Sequence, residues 1–169
     1  MRGTIVDDAL MQGVHVLHPN SVTGDWHVSP GTVLQQIHNL SEQARMIAER
    51  EALRVHKIDM RAWLVLKALD EQKYSTQRQI VAATGMDKVA VNRAASLLKE
   101  RNLVLSLPNT LDGRSHYLEL SHEGERVFAQ CTKAIGHLED HMLSGLTRGE
   151  GWQLLQHLEQ VQQALAQRV

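Results

Sequence analysis

Lys88, Asn92, Arg93 and Ser96 are the side chains here whose types and spacing best suit chemistry, and that chemistry is hydrogen bonding rather than bond breaking. Asparagine pairs bidentately with adenine and arginine with guanine, lysine meets phosphate, and a nearby methyl surface, here Val89 or Ala90, suits thymine. Further on, Arg114 stands two residues after Asp112, just past a turn. A guanidinium there can enter a minor groove while the carboxylate holds it in place.

Other constellations carry less. His137 and His141 lie four apart with Glu139 and Asp140 between them, which sets two imidazoles on one helical face as a metal site would. They are half of a site, the sequence fixes no third ligand, and solvated or interface histidines fit equally. A metal-responsive protein using this pair is an alternative, but no cofactor is expected. Cys131 falls on an apolar helical stripe, where a thiol is a small buried hydrophobe rather than a reactive thiolate. As the sole cysteine it allows neither an internal disulfide nor a cysteine-pair metal motif. No general base at fixed spacing and no glycine-rich phosphate loop accompanies these groups, so an enzyme is not expected.

The elements that hold the first set are readable from caps and periodicity. Ser29-Pro30 starts a helix of about residues 30 to 53 with Val33, Ile37, Leu40, Ala44 and Ile47 on one stripe. Asp59 caps a second helix, with Ile58 stapled to Trp63 and with Leu66 and Leu69 on its buried side. Thr76-Gln-Arg-Gln79 is a capping box for a short third helix that Gly85 stops. Asp87 caps the fourth, residues 87 to 101, which buries Val91, Ala94, Leu97 and Leu98 and turns Lys88, Asn92, Arg93 and Ser96 to other faces. Asn102 closes it.

The period then changes from 3.6 to 2. Leu103, Leu105 and Leu107 alternate, Pro108, Asn109, Asp112 and Gly113 turn the chain, and Tyr117 to Leu120 resumes an extended pattern, together a hairpin. Ser121 caps a long helix striped by Val127, Cys131, Ile135, Leu138 and Met142. Thr147-Arg-Gly-Glu150 is a second capping box, opening a last helix on Leu154, Leu158, Val161 and Leu165. Residues 1 to 28 are poorly patterned and suggest an arm, with one short helix around Val6 to Leu17 and with His15, His18 and His27 at a surface or interface.

Two short helices joined by a tight glycine turn, the second carrying bases on its open side and followed by a hairpin, describe a helix-turn-helix with a wing. The net charge of -1 hides an asymmetry that agrees: the segment Ser75 to Tyr117 carries +3 and the remainder -4. Local basicity is what phosphate contact requires. An aromatic share of 4% excludes a stacking platform for single strands. Arg2, Asp7 and Asp8 follow Met1 without a continuous apolar run, so neither a signal nor a membrane segment is expected, and the expected location is cytoplasmic.

The stretch Ile58 to Gly124 resembles the MarR family of multiple-antibiotic-resistance regulators. The residues that carry the resemblance are Ile58-Asp59 and Trp63, Thr76-Gln77 with Gln79-Ile80, Gly85-Met86-Asp87-Lys88 with Val91 and Arg93, then Leu97 and Asn102-Leu103-Val104. Most specific is Asp112-Gly113-Arg114 followed by Leu120-Ser121 and Gly124, similar to that family's wing and helix start. The chain departs from the pattern at Val89 and Ala90, where hydroxyl residues are usual, at Asn102 in place of glycine, and at Leu105-Ser106, where an arginine often enters the wing.

The resemblance implies a mainly α protein with a small β-hairpin, a winged helix-turn-helix of about six helices whose N- and C-terminal helices form a dimerisation region. The expected organisation is one domain over residues 1–169: an arm at 1–29, dimerisation helices at 30–56 and 121–169, and the winged helix-turn-helix at 57–120. It further implies a homodimer that reads a palindromic operator in double-stranded DNA through Lys88, Ala90, Asn92, Arg93, Ser96, Asp112 and Arg114. Such a protein is a transcription regulator, usually a repressor, whose affinity for DNA responds to a small-molecule effector, anionic or aromatic. His38, Met60 and Trp63 could line the effector cleft, with Arg61 pairing an anionic group, although each is equally at home in a dimer core. The competing function is a winged-helix module that binds protein instead of nucleic acid.

Overall fold

The computed structural model describes residues 29–109 and 115–167. The proposed arm helix and its histidines, and the wing-tip pair Asp112 and Arg114, lie outside these residues. The chain divides into two units, Met1–His38 and Asn39–Val169. The described part of the first is the opening of helix α1 (Thr32–Ala48), which exposes Val33, Leu34 and Ile37. Helix formation begins later than the Ser29-Pro30 signal suggests. Gly31 takes a left-handed φ of 89°, and the first bonds run from the Thr32 amide to the Ser29 carbonyl and from the Gln35 amide to that of Gly31.

Nor does this helix run straight to residue 53. Glu49–Leu53 widens into a π turn that carries the buried Ala52 and Leu53, and Arg54–His56 tightens into a 3-10 turn ending at Lys57, whose φ is 53°. Glu49 ties the bend down: its Oε1 accepts the Met60 amide at 3.3 Å and its Oε2 accepts Arg45 Nη1 at 2.9 Å.

Helix α2 (Met60–Gln72) is the centre of the second unit. Its Asp59 cap accepts the Ala62 amide at 2.8 Å, and Ala62, Trp63, Val65, Leu66, Ala68 and Leu69 are all buried. Strand β1 (Tyr74–Thr76) leads into α3 (Gln77–Thr84), whose capping box forms between Thr76 and Gln79. Helix α4 (Lys88–Glu100), strands β2 (Val104–Pro108) and β3 (His116–Leu120), α5 (His122–Met142) and α6 (Arg148–Ala166) follow.

The sheet has three strands in the order β1-β3-β2, both pairings antiparallel, so the expected hairpin gains an outer strand. Tyr74 to Thr76 is too short to show an alternating pattern, and its partners are Glu119, Leu118 and Tyr117, far along the chain. Ser75 faces Leu118 in that register, is fully buried, and gives its hydroxyl hydrogen to Gln72 Oε1. Ile80, Val91, Leu98, Leu118, Val127, Cys131 and Ile135 close the core around α2.

Helix α5 sinks its residues up to Ile135 into this core and frees its C-terminal end. Val127, Cys131 and Ile135 are buried, but Met142 is exposed, and α6 contributes no buried residue at all. The capping box of α6, Thr147 with Glu150, forms as its spacing suggests, and the Thr147 amide holds the Glu150 carboxyl below its ordinary pKa. No described helix is long and apolar enough to cross a membrane.

Candidate nucleic-acid interface

The turn that sets α4 is built by three residues within four positions, Thr84, Gly85 and Asp87. Thr84 returns its hydroxyl to the Ile80 carbonyl at 2.7 Å, Gly85 adopts a φ of 67° with its amide on Val81, and Asp87 caps α4 by accepting the Ala90 amide at 2.8 Å. The left-handed residue lets the chain reverse within Met86 alone. Val91, Ala94, Ala95 and Leu98 then face the core. At about 100° per residue these four fix the opposite arc of the helix as its outer face. Val89 and Ser96 crown that arc, with Asn92, Lys88 and Lys99 to one side and Arg93 to the other, all exposed.

Ala90 differs from the other expected contacts. It is half-buried and lines the floor of a groove, while Val89, 60% exposed, holds the outward position. Asn92 has a partner that the sequence does not reveal: its Oδ1 accepts Gln77 Nε2, from the start of α3, at 3.3 Å. The amide is thereby oriented before any ligand arrives.

A groove runs along each flank of α4. One, of about 300 Å³, is lined by Asp59, Arg61, Asp87, Val89, Ala90, Arg93, Ala94 and Leu97. The other, of about 490 Å³, is lined by Thr76, Gln77, Arg78, Lys88, Lys99, Asn109, Ser115, His116 and Leu118. Arg61, Arg78, Lys88, Arg93 and Lys99 form no ion pair with any described residue, in contrast to Arg45, Arg50, Lys67 and Arg126 elsewhere. An outer helix face with unneutralised cations on both sides is a surface suited to a polyanion. At the base of the wing, Asn109 is buried and donates Nδ2 to Ser115 Oγ at 2.7 Å, which closes the hairpin below its tip.

Of the residues assigned to an effector cleft, Met60, Arg61 and Trp63 lie within one turn of α2 and face different ways. Arg61 is exposed beside Arg93, while Trp63 is buried and stacks on Phe128 of α5 with ring centroids 6.5 Å apart. Met60 packs partly buried against the core, and His38 is exposed in the N-terminal unit. Trp63 Nε1 is buried without an acceptor among the described residues. His137 and His141 are exposed, and among the described residues no three potential metal ligands cluster.

A family model described as the MarR family matches residues 56–115, from the end of the 3-10 turn to just before β3. The chain carries a MarR-family winged helix-turn-helix. MarR-family proteins are transcription regulators, not enzymes. The fold agrees over a longer span. The PcaV transcriptional regulator of Streptomyces coelicolor, in complex with its natural ligand, superposes with a TM-score of 0.73 at 21% identity, covering 86% of this chain and 99% of that one. A mutant MarR of E. coli complexed with operator DNA gives 0.70 at 22% identity, covering 76% of this chain and 92% of that one. BpsR of Bordetella bronchiseptica, whose DNA binding is regulated by 6-hydroxynicotinic acid, gives 0.70 at 19% identity, covering 77% and 98%. In this fold α3 and α4 take the place of the helix-turn-helix and β2 and β3 that of the wing.

Proposed function

We propose that the protein is a dimeric, sequence-specific DNA-binding transcription regulator, a repressor of the cytoplasm that reads a palindromic operator and releases it on binding a small molecule. The observation that carries this reading is the outer face of α4, where Asn92, oriented by Gln77, and Ser96 stand between flanks of cations that form no ion pair among the described residues. A helix inserted in the major groove presents its crown to base edges and its flanks to the phosphate ridges. Ser96 then joins Asn92 at the base edges, with Val89 or Ala90 against a thymine methyl, while Lys88 and Arg93 stand toward the phosphate ridges, and Asp112 and Arg114 are proposed as further DNA-contact residues.

Dimerisation follows from apolar surface that the single chain leaves in water. Leu155 and Leu158 of α6 are about half exposed, Trp152 is 65% exposed, and Val33, Leu34, Ile37 and Leu40 of α1 are similarly bare. Burying the exposed part of each such side chain is worth about 1 kcal/mol, which together stabilises an interface of interlocked terminal helices. A two-fold dimer requires a two-fold site in DNA.

The effector reading is supported by Trp63 and by two relatives. A buried indole N–H without an acceptor is costly by about 1–3 kcal/mol and would be satisfied by an oxygen or nitrogen of a bound ligand. PcaV was captured with its natural ligand, and the DNA binding of BpsR is regulated by 6-hydroxynicotinic acid, a small molecule. Ligand can weaken DNA binding only as far as it prefers the conformation that does not bind. The test is titration of the protein against the DNA upstream of its own gene, at several salt concentrations, with and without aromatic carboxylates. Binding with a steep negative salt slope supports the reading. A flat slope would instead favour a winged-helix module for protein partners.

A further inference from the structure

We propose that Arg61, on the first turn of α2, is a phosphate-binding residue at the edge of the DNA interface, acting beside Arg93. It is not a ligand for the effector. The inference rests on the DNA-binding reading above and extends the interface to a helix outside the helix-turn-helix.

Arg61 and Arg93 line the same groove from α2 and α4, and both are exposed and without an ion pair among the described residues. Asp59 and Asp87 line it too, but each carboxylate is engaged at the start of its own helix, on the Ala62 and Ala90 amides at 2.8 Å. Their charge is set against the positive ends of α2 and α4. An α-helix with its side chains is about 10–12 Å across and fills a major groove about 12 Å wide, so the sugar-phosphate ridges must run along its flanks. On the far flank a ridge meets Arg78, Lys88 and Lys99. On the near flank the basic residues lining the groove, among the described residues, are Arg61 and Arg93. Were Arg61 turned to another task, that ridge would pass two aspartates with Arg93 alone to balance them.

The position of Trp63 separates Arg61 from the effector. Two residues along a helix is a rotation of about 200°, and Trp63 points into the core against Phe128 while Arg61 points to the groove. One compact ligand cannot hold both.

The test measures binding of the full chain to a duplex of its own upstream DNA by fluorescence anisotropy across salt. Arg61→Ala is expected to weaken binding about tenfold, evenly across operator variants, and to reduce the magnitude of the log–log salt slope by about 0.9, the value for one phosphate. Arg61→Lys should restore most of the slope, because the charge is kept. If Arg61→Ala leaves affinity and slope unchanged while Arg93→Ala lowers both, the proposal for Arg61 is wrong and the DNA reading stands. If the unaltered protein shows no salt-dependent binding, the reading itself fails and the proposal goes with it.

Discussion

Gly124 lies directly against the carbonyl of Leu103: a Cβ at this position would stand 2.0 Å from the oxygen. The same oxygen accepts the Ser121 amide at 3.0 Å, and Ser121 Oγ reaches the Asn102 carbonyl at 2.7 Å and the Gly124 amide at 2.9 Å. The exit of α4 and the start of α5 are thereby fastened together by direct backbone contact and by the Ser121 hydroxyl. Asn102 makes this possible by taking a φ of 55° at the end of α4.

Because that contact is backbone on both sides, it cannot yield as a flexible side chain would. Gly124→Ala is expected to destabilise the fold by about 3 kcal/mol. Gly136→Ala is the control. It lies mid-helix in α5 with nothing within 4 Å of a built Cβ, and should be stabilising by about 0.5–1 kcal/mol. Urea unfolding of the two variants measures both, and equal midpoints would show that the packing of Leu103 on Gly124 does not matter.

Asn92 and Gln77 make a second prediction. Asn92→Ala should lose about 1–3 kcal/mol of operator affinity and relax preference at one base pair. Gln77→Ala, which removes only the restraint on the Asn92 amide, should lose less than about 1 kcal/mol while the preferred sequence stays the same. Binding to a panel of single-base operator variants separates the two. A shifted preference in Gln77→Ala would mean that Gln77 reads a base itself.

What could be read ahead of the structure, and what could not, divides by distance along the chain. Asp59, Thr76 with Gln79, Asp87, Ser121, and Thr147 with Glu150 were legible as caps because each binds an amide three residues on. The exposed arc of α4 was legible as well, since Val91, Ala94 and Leu98 fix its inner side. Strand β1 was not, because three residues make no pattern and their partners lie far along the chain, in the wing strand β3. The π turn after α1 has no composition of its own to announce it. The grooves that place Arg61 beside Arg93, and the Gln77 contact that orients Asn92, depend on how α2, α3 and α4 pack. No spacing within one helix contains that information.

Cys131 provides a chemical check on the core. Its thiol reaches the Ala52 carbonyl at 3.8 Å, and burial pushes its pKa from the ordinary 9.0 up to about 11. A raised pKa in the folded state means that the neutral thiol is the favoured form. The resulting stability is present in full below pH 9 and is lost as pH rises through about 11. At pH 8 the folded protein should react with Ellman's reagent about a hundredfold more slowly than the urea-unfolded chain, as the smaller thiolate fraction requires. Comparable rates in the two states would show that the thiol is accessible.

Trp63 tests the unpartnered indole. Trp63→Phe keeps a ring against Phe128 and removes the buried donor. The two effects oppose each other, lost volume against a relieved polar group, so the net change should stay within about 1 kcal/mol. Trp63→Ala removes the whole side chain and should be destabilising by about 3–5 kcal/mol. Thermal unfolding gives both values. A loss in Trp63→Phe as large as in Trp63→Ala would mean that the indole N–H has a partner in solution, and the case for a ligand acceptor would disappear.

The last prediction concerns α6, which stands 46% exposed at Leu158 and buries nothing. A glutamate at this position touches no core residue, so Leu158→Glu should leave the helical content and the urea midpoint of the individual subunit nearly unchanged. In a dimer of interlocked terminal helices the same carboxylate would be taken out of water without a partner, at a cost of several kcal/mol, and the subunits would separate. Operator affinity should then collapse although every base-reading residue is intact, because two half-sites bound independently lose the advantage of linkage. Sedimentation velocity and anisotropy on one preparation read assembly and binding together. A variant that remains dimeric would locate the interface away from Leu158, and one that is monomeric yet binds the full operator as tightly as before would remove the dimer from the DNA-binding mechanism.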